Sequence, residues 1–283
     1  MLAPSLAGAG NVPPTPMIPN ILSIAGTDPS GGAGIQADLK TFSALGGYGM
    51  AVVTALVAQT TTGVSAVHDV PPEFVTAQLE VLFQDVRVDA VKIGMLANAA
   101  VIRAVVACLD RYRPAYVVLD PVMVAKSGDA LLEPVAVASL VGELMPAVDL
   151  VTPNLDEAAV MLGETVVTAA GDMPGQAERI AELGAKRVLL KGGHLSDADS
   201  TDVLLSEEGI EVLRAPRITT DNDHGTGCTL SAAIAALRPR SEDWRQAVVQ
   251  AKDYLTGALA AADQLDVGHG HGPVHHFYRL WAF

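Results

Sequence analysis

His224-Gly225-Thr226-Gly227-Cys228-Thr229 runs directly into Leu230-Ser231-Ala232-Ala233-Ile234-Ala235-Ala236. Glycines ahead of a helical run of small residues let free backbone N–H groups approach an anion, and the helix dipole adds to the attraction. The plain alternative is an ordinary loop entering a helix, for which two glycines are unremarkable. Two common phosphate loops are absent. No Gly-x-x-x-x-Gly-Lys-Ser/Thr occurs, and Gly26 through Gly34 does not fit Gly-x-Gly-x-x-Gly. A phosphate bound here is held by another device.

Outward from this segment, short apolar runs alternate with helix-like stretches. The runs are Ile21 to Ala25, Ala51 to Ala58, Val91 to Ile93, Tyr116 to Leu119, Leu150 to Val151 and Val188 to Leu190. Between them, Phe74 to Val86, Val101 to Leu109, Leu155 to Leu162 and Gln176 to Leu183 carry apolar residues at helical spacing. Asp202 to Leu205 and Ile210 to Leu213 flank a Glu-Glu-Gly turn and read as a hairpin; Cys228 to Leu237 and Trp244 to Leu265 read as long helices. The rhythm predicts an α/β fold with a mostly parallel central sheet covered on both faces. No repeat, charge block or linker divides the chain, so residues 20–283 read as one domain. Residues 1–19 contain five prolines and neither Lys nor Arg, and read as a disordered lead-in rather than a signal or transit peptide.

Half of the 283 residues are apolar, enough for a sizeable core. The formal charge of −14, with 18 Lys and Arg against 32 Asp and Glu, argues against nucleic acid and anionic membranes as partners. A phosphate ligand would therefore need locally concentrated positive potential. Cys108 and Cys228 form neither a disulfide scaffold nor a metal-ligand spacing, which fits a reducing, cytoplasmic setting, and no apolar run reaches spanning length. Gly26, Asp28, Gln59, Gly94, Met95, Asp120, Asn154, Lys191, Gly192 and Gly193 each follow an apolar run. In open α/β sheets ligands bind beyond the carboxyl ends of the strands, so these residues are expected around one crevice.

Gly225-Thr226-Gly227-Cys228 resembles the anion-hole signature of the ribokinase-like kinases, most of which have Asp where this chain has Cys228. With Ala25-Gly26-Thr27-Asp28-Pro29-Ser30-Gly31-Gly32-Ala33-Gly34-Ile35-Gln36-Ala37-Asp38, the pattern is similar to the hydroxymethylpyrimidine (phosphate) kinases of thiamine biosynthesis. The likeness runs from about Ile21 to the C-terminus. It takes in Ala55-Leu56-Val57-Ala58-Gln59, Lys92-Ile93-Gly94-Met95-Leu96, Ala125-Lys126-Ser127-Gly128, Thr152-Pro153-Asn154-Leu155-Asp156-Glu157 and Lys191-Gly192-Gly193-His194. The resemblance implies a three-layer α/β/α kinase using ATP and Mg2+ to phosphorylate hydroxymethylpyrimidine and then its phosphate. Relatives of this kind are often homodimers.

The resemblance gives Gln59 the reading of the pyrimidine, and an amide's donor and acceptor suit an aminopyrimidine edge. A strand-end Gln facing solvent is the bland alternative. Gly26, Val57 and Met95 would wall the pocket, although Met95 alone would read as core filler. Asn154 and Glu157 would position magnesium, Glu157 through water, while Asn-x-x-Glu equally describes a helix cap with its capping Glu. Asp120, followed by Pro121, would hold metal or order water, or simply begin a turn. Lys191 would reach the ATP phosphates, and Lys126, in what resembles a flap, would fold over the nucleotide. Asp38 is a weaker substrate-pocket candidate, since an exposed helix-face carboxylate is the commoner explanation. Cys108 reads as inert core, and the cluster His269, His271, His275 and His276 matches no zinc pattern.

Phosphoryl transfer needs positioning and charge stabilisation, which Gly225, Thr226, Gly227, Lys191 and magnesium would supply. A helix N-terminus is expected to lower the Cys228 thiol from about 8.5, making it a base for an alcohol acceptor and only a neutral neighbour for a monophosphate. On this expectation, Cys228→Ala slows the first phosphorylation much more than the second. Two rival readings stand beside this one: a pyridoxal kinase of the same superfamily, and a non-catalytic small-molecule binding protein.

Overall fold

A computed structural model of the chain describes residues 17–123, 132–193, 195 and 198–281. The Pro-rich lead-in up to residue 16, and Lys126 with its neighbours, lie outside the described residues. β1 (Asn20–Ala25), β2 (Tyr48–Val53), β5 (Ala90–Ile93), β6 (Val117–Leu119), β7 (Leu150–Val151), β8 (Val188–Lys191), β9 (Asp199–Ser206) and β10 (Gly209–Pro216) form one sheet in the order β10-β9-β8-β7-β6-β5-β1-β2. The pairs from β2 to β8 are parallel, and β9 and β10 add an antiparallel edge. β3 (Ala55–Thr60) and β4 (Gly63–Asp69) make a separate hairpin.

Side-chain alternation along these strands sorts the core into two halves. Leu22, Ile24, Val91, Ile93, Val117, Leu119, Val151, Val188 and Leu190 pack with α2 (Pro72–Asp85), α3 (Ala99–Tyr112), α4 (Pro134–Ser139), α5 (Leu155–Leu162) and α6 (Met173–Glu182). Ile21, Ala90, Val118, Leu150 and Leu189 face the other way, under α1 (Gly34–Ala44), α7 (Thr226–Leu237) and α8 (Trp244–Ala260). The fold is thus the three-layer, ribokinase-like α/β/α arrangement that the resemblance implied, with helices on both faces of a mostly parallel sheet. α7 explains its own composition. It is wedged between the sheet, α1 and α8, and Ala232, Ala233, Ala235 and Ala236 have no exposed surface, so larger side chains would push the layers apart.

Two expected boundaries shift. The run Ala51 to Ala58 is two strands rather than one, broken at buried Thr54, whose hydroxyl donates to the Met95 carbonyl at 2.6 Å while its N–H donates to the Ala25 carbonyl at 3.0 Å. Those bonds turn the chain out of the main sheet and into the β3–β4 hairpin. The last helix stops at Ala260 and continues only as a short 3-10 turn over Ala262–Gln264.

Candidate active site

The carboxyl ends of β1, β5, β6, β7 and β8 all open toward the N-terminus of α7. Two positions beyond the apolar residues that face α1, α7 and α8, the same face presents Ser23, Lys92, Asp120, Thr152 and Lys191. The sheet therefore changes from an apolar floor to a row of polar groups just where the strands end. Lys191 Nζ lies 2.9 Å from Asp120 Oδ1, and Thr152 Oγ1 donates to the same oxygen at 3.4 Å. Burial works against both charges, but each sustains the other: Lys191, with help from Lys92, holds Asp120 below the ordinary carboxylate range, and Asp120 and Glu157 hold Lys191 above the ordinary lysine range.

Gly225 is the N-cap of α7 in the left-handed region, with φ of +79°. A β-carbon there would overlap the Gly32 carbonyl, so the loop that opens α7 rests on the glycine-rich turn after β1. At Gly227 a β-carbon would lie 3.2 Å from Lys191 Nζ and 3.5 Å from Asp120 Oδ2, which places the α7 N-terminus directly over that ion pair. Gly225, Thr226, Gly227, Lys191 and Asp120 therefore meet at one point, where free helix N–H groups and an ammonium can jointly receive an anion.

The opposite end of the crevice is apolar. At Gly26 a β-carbon would fall 2.6 Å from Met95 Cε and 3.6 Å from Val57 Cγ2, so these three residues adjoin as expected, and the Met95 methyl packs into the space that a side chain at Gly26 would take. Gln59, partly buried on β3 beside a bulge, is a hydrogen-bonding partner of the Asp28 carboxylate.

Cys228 departs from expectation. Burial raises its thiol to about 11; Lys92 pulls the other way, and Asp120 and Asp38 reinforce the rise. The fixed carboxylates and the partial burial of the side chain outweigh the helix N-terminus, and the thiol is neutral near pH 7. Asp38 also departs. It is not an exposed helix-face carboxylate but fully buried, 2.9 Å from the equally buried Lys92 Nζ, and it accepts from Ser23 Oγ at 2.5 Å. Burial alone would lower Lys92; Asp38 above all keeps it charged. Asp38 thus braces a cation beneath the site and has no surface with which to meet a ligand.

Asn154 and Glu157 adopt the helix-cap arrangement in full. Glu157 N–H donates to Asn154 Oδ1 at 2.8 Å, and Asn154 N–H donates to Glu157 Oε2 at 2.8 Å. Burial pushes Glu157 up to about 7 against the pull of Lys191, with Asp120 adding to the rise. The three carboxyl groups of Asp38, Asp120 and Glu157 outnumber the two ammonium groups of Lys92 and Lys191, a balance that favours an added cation. Among the described residues no group of three or more His, Cys, Asp or Glu is placed to hold a metal. A hard ion that retains most of its water, such as Mg2+, fits a two-carboxyl donor set.

In the sequence Asp28 is marked only as one more polar residue after a strand. It is fully buried and accepts from Ser30 N–H (2.9 Å), Ser30 Oγ (2.7 Å), Gly32 N–H (3.0 Å) and Ala33 N–H (2.7 Å), with His224 Nε2 at 2.8 Å. Burial opposes its ionisation, yet bonds from His224, Gln59, Ser30 and Ala33 prevail and hold it far below the usual carboxylate range. It pins the glycine-rich turn to the loop that opens α7. The detectable signal was Asp-x-Ser-Gly-Gly-Ala, a carboxylate followed by a run of small residues whose N–H groups it can collect. Cys108 is core, raised to about 12 chiefly by burial. His275 and His276 are buried under the C-terminal segment, with His276 Nε2 3.1 Å from Thr229 Oγ1, whereas His269 and His271 are exposed.

A family model described as phosphomethylpyrimidine kinase matches residues 28–275. The chain is 57% identical over 262 residues to the hydroxymethylpyrimidine/phosphomethylpyrimidine kinase of Escherichia coli strain K12, covering 93% of this chain and 98% of that relative. Among solved structures, a Bacillus subtilis pyridoxal kinase in an ADP complex is similar with a TM-score of 0.86 and 35% identity, over 93% of this chain and 100% of that one. A phosphomethylpyrimidine kinase from Clostridium difficile 630 is similar with a TM-score of 0.75 and 42% identity, over 85% of this chain and 99% of that one.

Proposed function

The chain belongs to the phosphomethylpyrimidine kinase family, and from that premise we infer that it is an ATP-dependent phosphotransferase of thiamine biosynthesis. It phosphorylates 4-amino-5-hydroxymethyl-2-methylpyrimidine to its monophosphate and the monophosphate to the diphosphate. One observation carries the reading of the site: Gly26, Val57 and Met95 adjoin, with Gln59 next to them on β3, while the α7 N-terminus lies over the Lys191–Asp120 pair. A flat ring at one end and a transferring phosphoryl group at the other suit these two chemistries.

In this reading Gln59 offers the aminopyrimidine a donor and an acceptor, and Met95 and Val57 sandwich the ring. The hydroxymethyl oxygen points toward the α7 N-terminus. Gly225, Thr226 and Gly227 hold the transferring group through backbone N–H, and Lys191 turns from Asp120 to the phosphate oxygens as charge develops there. When Lys191 moves, Lys92 still faces Asp120 and keeps that carboxylate compensated. Cys228 stays neutral, so the second acceptor, itself an anion, meets no fixed negative charge at that position. The loose transition state asks little of a base, and the alcohol proton leaves late, passing to an oxygen of the transferred phosphoryl group and from there to solvent. Asn154, Glu157 and Asp120 serve the nucleotide end, where Asp120 and Glu157 would hold Mg2+, which would supply neutralisation of phosphate charge. Lys126 completes the nucleotide contacts, and residues 20–283 act as one kinase domain.

The test is a competition of acceptors. Purified protein is incubated with ATP, Mg2+ and either hydroxymethylpyrimidine or pyridoxal, and products are followed by mass spectrometry. Sequential monophosphate and diphosphate of the pyrimidine support the reading. Turnover of pyridoxal alone moves the chain to the neighbouring activity, which the overall likeness to a pyridoxal kinase leaves open to test.

A further inference from the structure

Gly268-His269-Gly270-His271-Gly272 has no part in either end of the crevice, yet its backbone joins the two. The β3–β4 hairpin stands apart from the main sheet and is exposed from Ser65 through Asp69 and at Leu56, Ala58 and Thr60. A lone two-stranded hairpin is at best marginally stable in water, yet this one carries Val57 and Gln59. At its base, Thr27 N–H donates to the Ala55 carbonyl at 3.0 Å and Val57 N–H donates to Thr27 Oγ1 at 3.0 Å. At its tip, Thr61 Oγ1 accepts from His269 N–H at 3.2 Å and Gly270 N–H at 3.1 Å, and the Thr61 carbonyl accepts from His271 N–H at 3.1 Å. The strap then reaches the anion-hole loop: His224 N–H donates to the Gly272 carbonyl at 3.0 Å, and His224 bridges Pro273 in parallel pairing. Contact is so close that a β-carbon on Gly270 would overlap the Thr61 carbonyl.

We propose that Thr61 is a positioning residue and that the 268–272 strap is its clasp, fixing the hairpin that carries Gln59 and Val57 against the loop that opens α7. The clasp sets the distance between the ring-binding wall and the phosphoryl-receiving helix. It works through main-chain N–H groups, which explains glycines at alternate positions better than any metal-binding use of the imidazoles. The proposal rests on the reading of Gln59 as the residue that meets the pyrimidine.

The full chain is compared with Thr61→Val, which keeps shape and loses the acceptor, Thr61→Ser, which restores it, Gly270→Ala, which forces the strap off, and Gln59→Ala. Losing two weak hydrogen bonds should raise KM for hydroxymethylpyrimidine about 3- to 10-fold in Thr61→Val and Gly270→Ala. KM for ATP should stay within about 2-fold, as expected when only one substrate's wall is displaced. Amide exchange over residues 56–67 should quicken in the same two variants and return to the parent rate in Thr61→Ser. Unchanged exchange in both Thr61→Val and Gly270→Ala overturns the clasp. Faster exchange with an unchanged pyrimidine KM reduces it to a structural tie and overturns the positioning role. If Gln59→Ala leaves KM unaltered while Thr61→Val raises it, the reading of Gln59 fails and the clasp stands.

Discussion

Cys228 shows how one side chain can carry the right location and the wrong charge. A helix N-terminus favours thiolate, but burial and two nearby carboxylates prevail, leaving the thiol at about 11. Thiolate reactivity scales with its population, so iodoacetamide labelling of Cys228 at pH 7 should run on the order of a hundredfold slower than that of a free cysteine. The rate should climb toward pH 11; a plateau near pH 8 would contradict the neutral thiol. The same neutrality predicts that Cys228→Ala slows alcohol phosphorylation by less than about tenfold, short of the 10²–10⁴ that loss of a general base produces. Initial rates with each acceptor check this. Lys191 is the opposite case, a permanent cation above Asp120 at the mouth of α7. Lys191→Met should lower kcat by roughly 10²–10³ for both acceptors, the scale of losing one oxyanion donor, and steady-state kinetics with each would reveal it.

At the scale of elements, the site depends on layers that meet through polar contacts. α1 is tied to β5 by Asp38 and Lys92, both without exposed surface. Removing one partner of such a pair strands a buried charge, so Asp38→Asn or Lys92→Met should each destabilise the fold by about 3–5 kcal/mol. The double change Asp38→Leu with Lys92→Met should recover most of it, as urea midpoints would show. The pair also marks where reading the chain succeeds and fails. Strand and helix positions were legible because apolar spacing reports burial directly: α5 and β7 fall where the pattern puts them, and Gly26, Val57 and Met95 adjoin as the resemblance implied. Asp38 was misjudged because a single carboxylate on a helix carries no mark of its partner; Lys92 lies 54 residues away and meets it only through sheet register. The hairpin was hidden in an unbroken apolar run because Thr54, whose two hydrogen bonds turn the chain, looks like any strand threonine.

Over the whole molecule, the buried titratable groups couple stability to pH in opposing directions. Glu157 is raised, mainly by burial, from 4.5 to about 7, so the folded chain holds its proton more tightly than the unfolded chain does. Its contribution is fully present below pH 4.5 and is lost as pH rises through 7. His276 is lowered from 6.5 to about 3, first by burial and then by Lys40 and His275, so its contribution is present above pH 6.5 and is lost as pH falls toward 3. His275 moves the same way, also by burial. Between about pH 4.5 and 6.5 the two large shifts therefore oppose each other, at roughly 1.4 kcal/mol per pH unit apiece if each binds or releases one full proton. Asp28 and Asp120 are lowered and titrate below this window, whereas burial raises Asp38 against the pull of Lys92 and Ser23, on the same side as Glu157. The parent protein should thus show a shallow dependence of unfolding free energy on pH across the window, without Mg2+. Glu157→Gln removes one of the contributions that favour acid and should leave a protein that loses more stability than the parent on acidification. His276→Gln removes an opposing term and should give one that gains stability relative to the parent over the same range. Denaturant titrations of the three proteins at pH 4.5, 5.5 and 6.5 would decide it. Parallel slopes would mean that Glu157 and His276 are not held in the protonation states their burial dictates; slopes that diverge in opposite directions would establish those states.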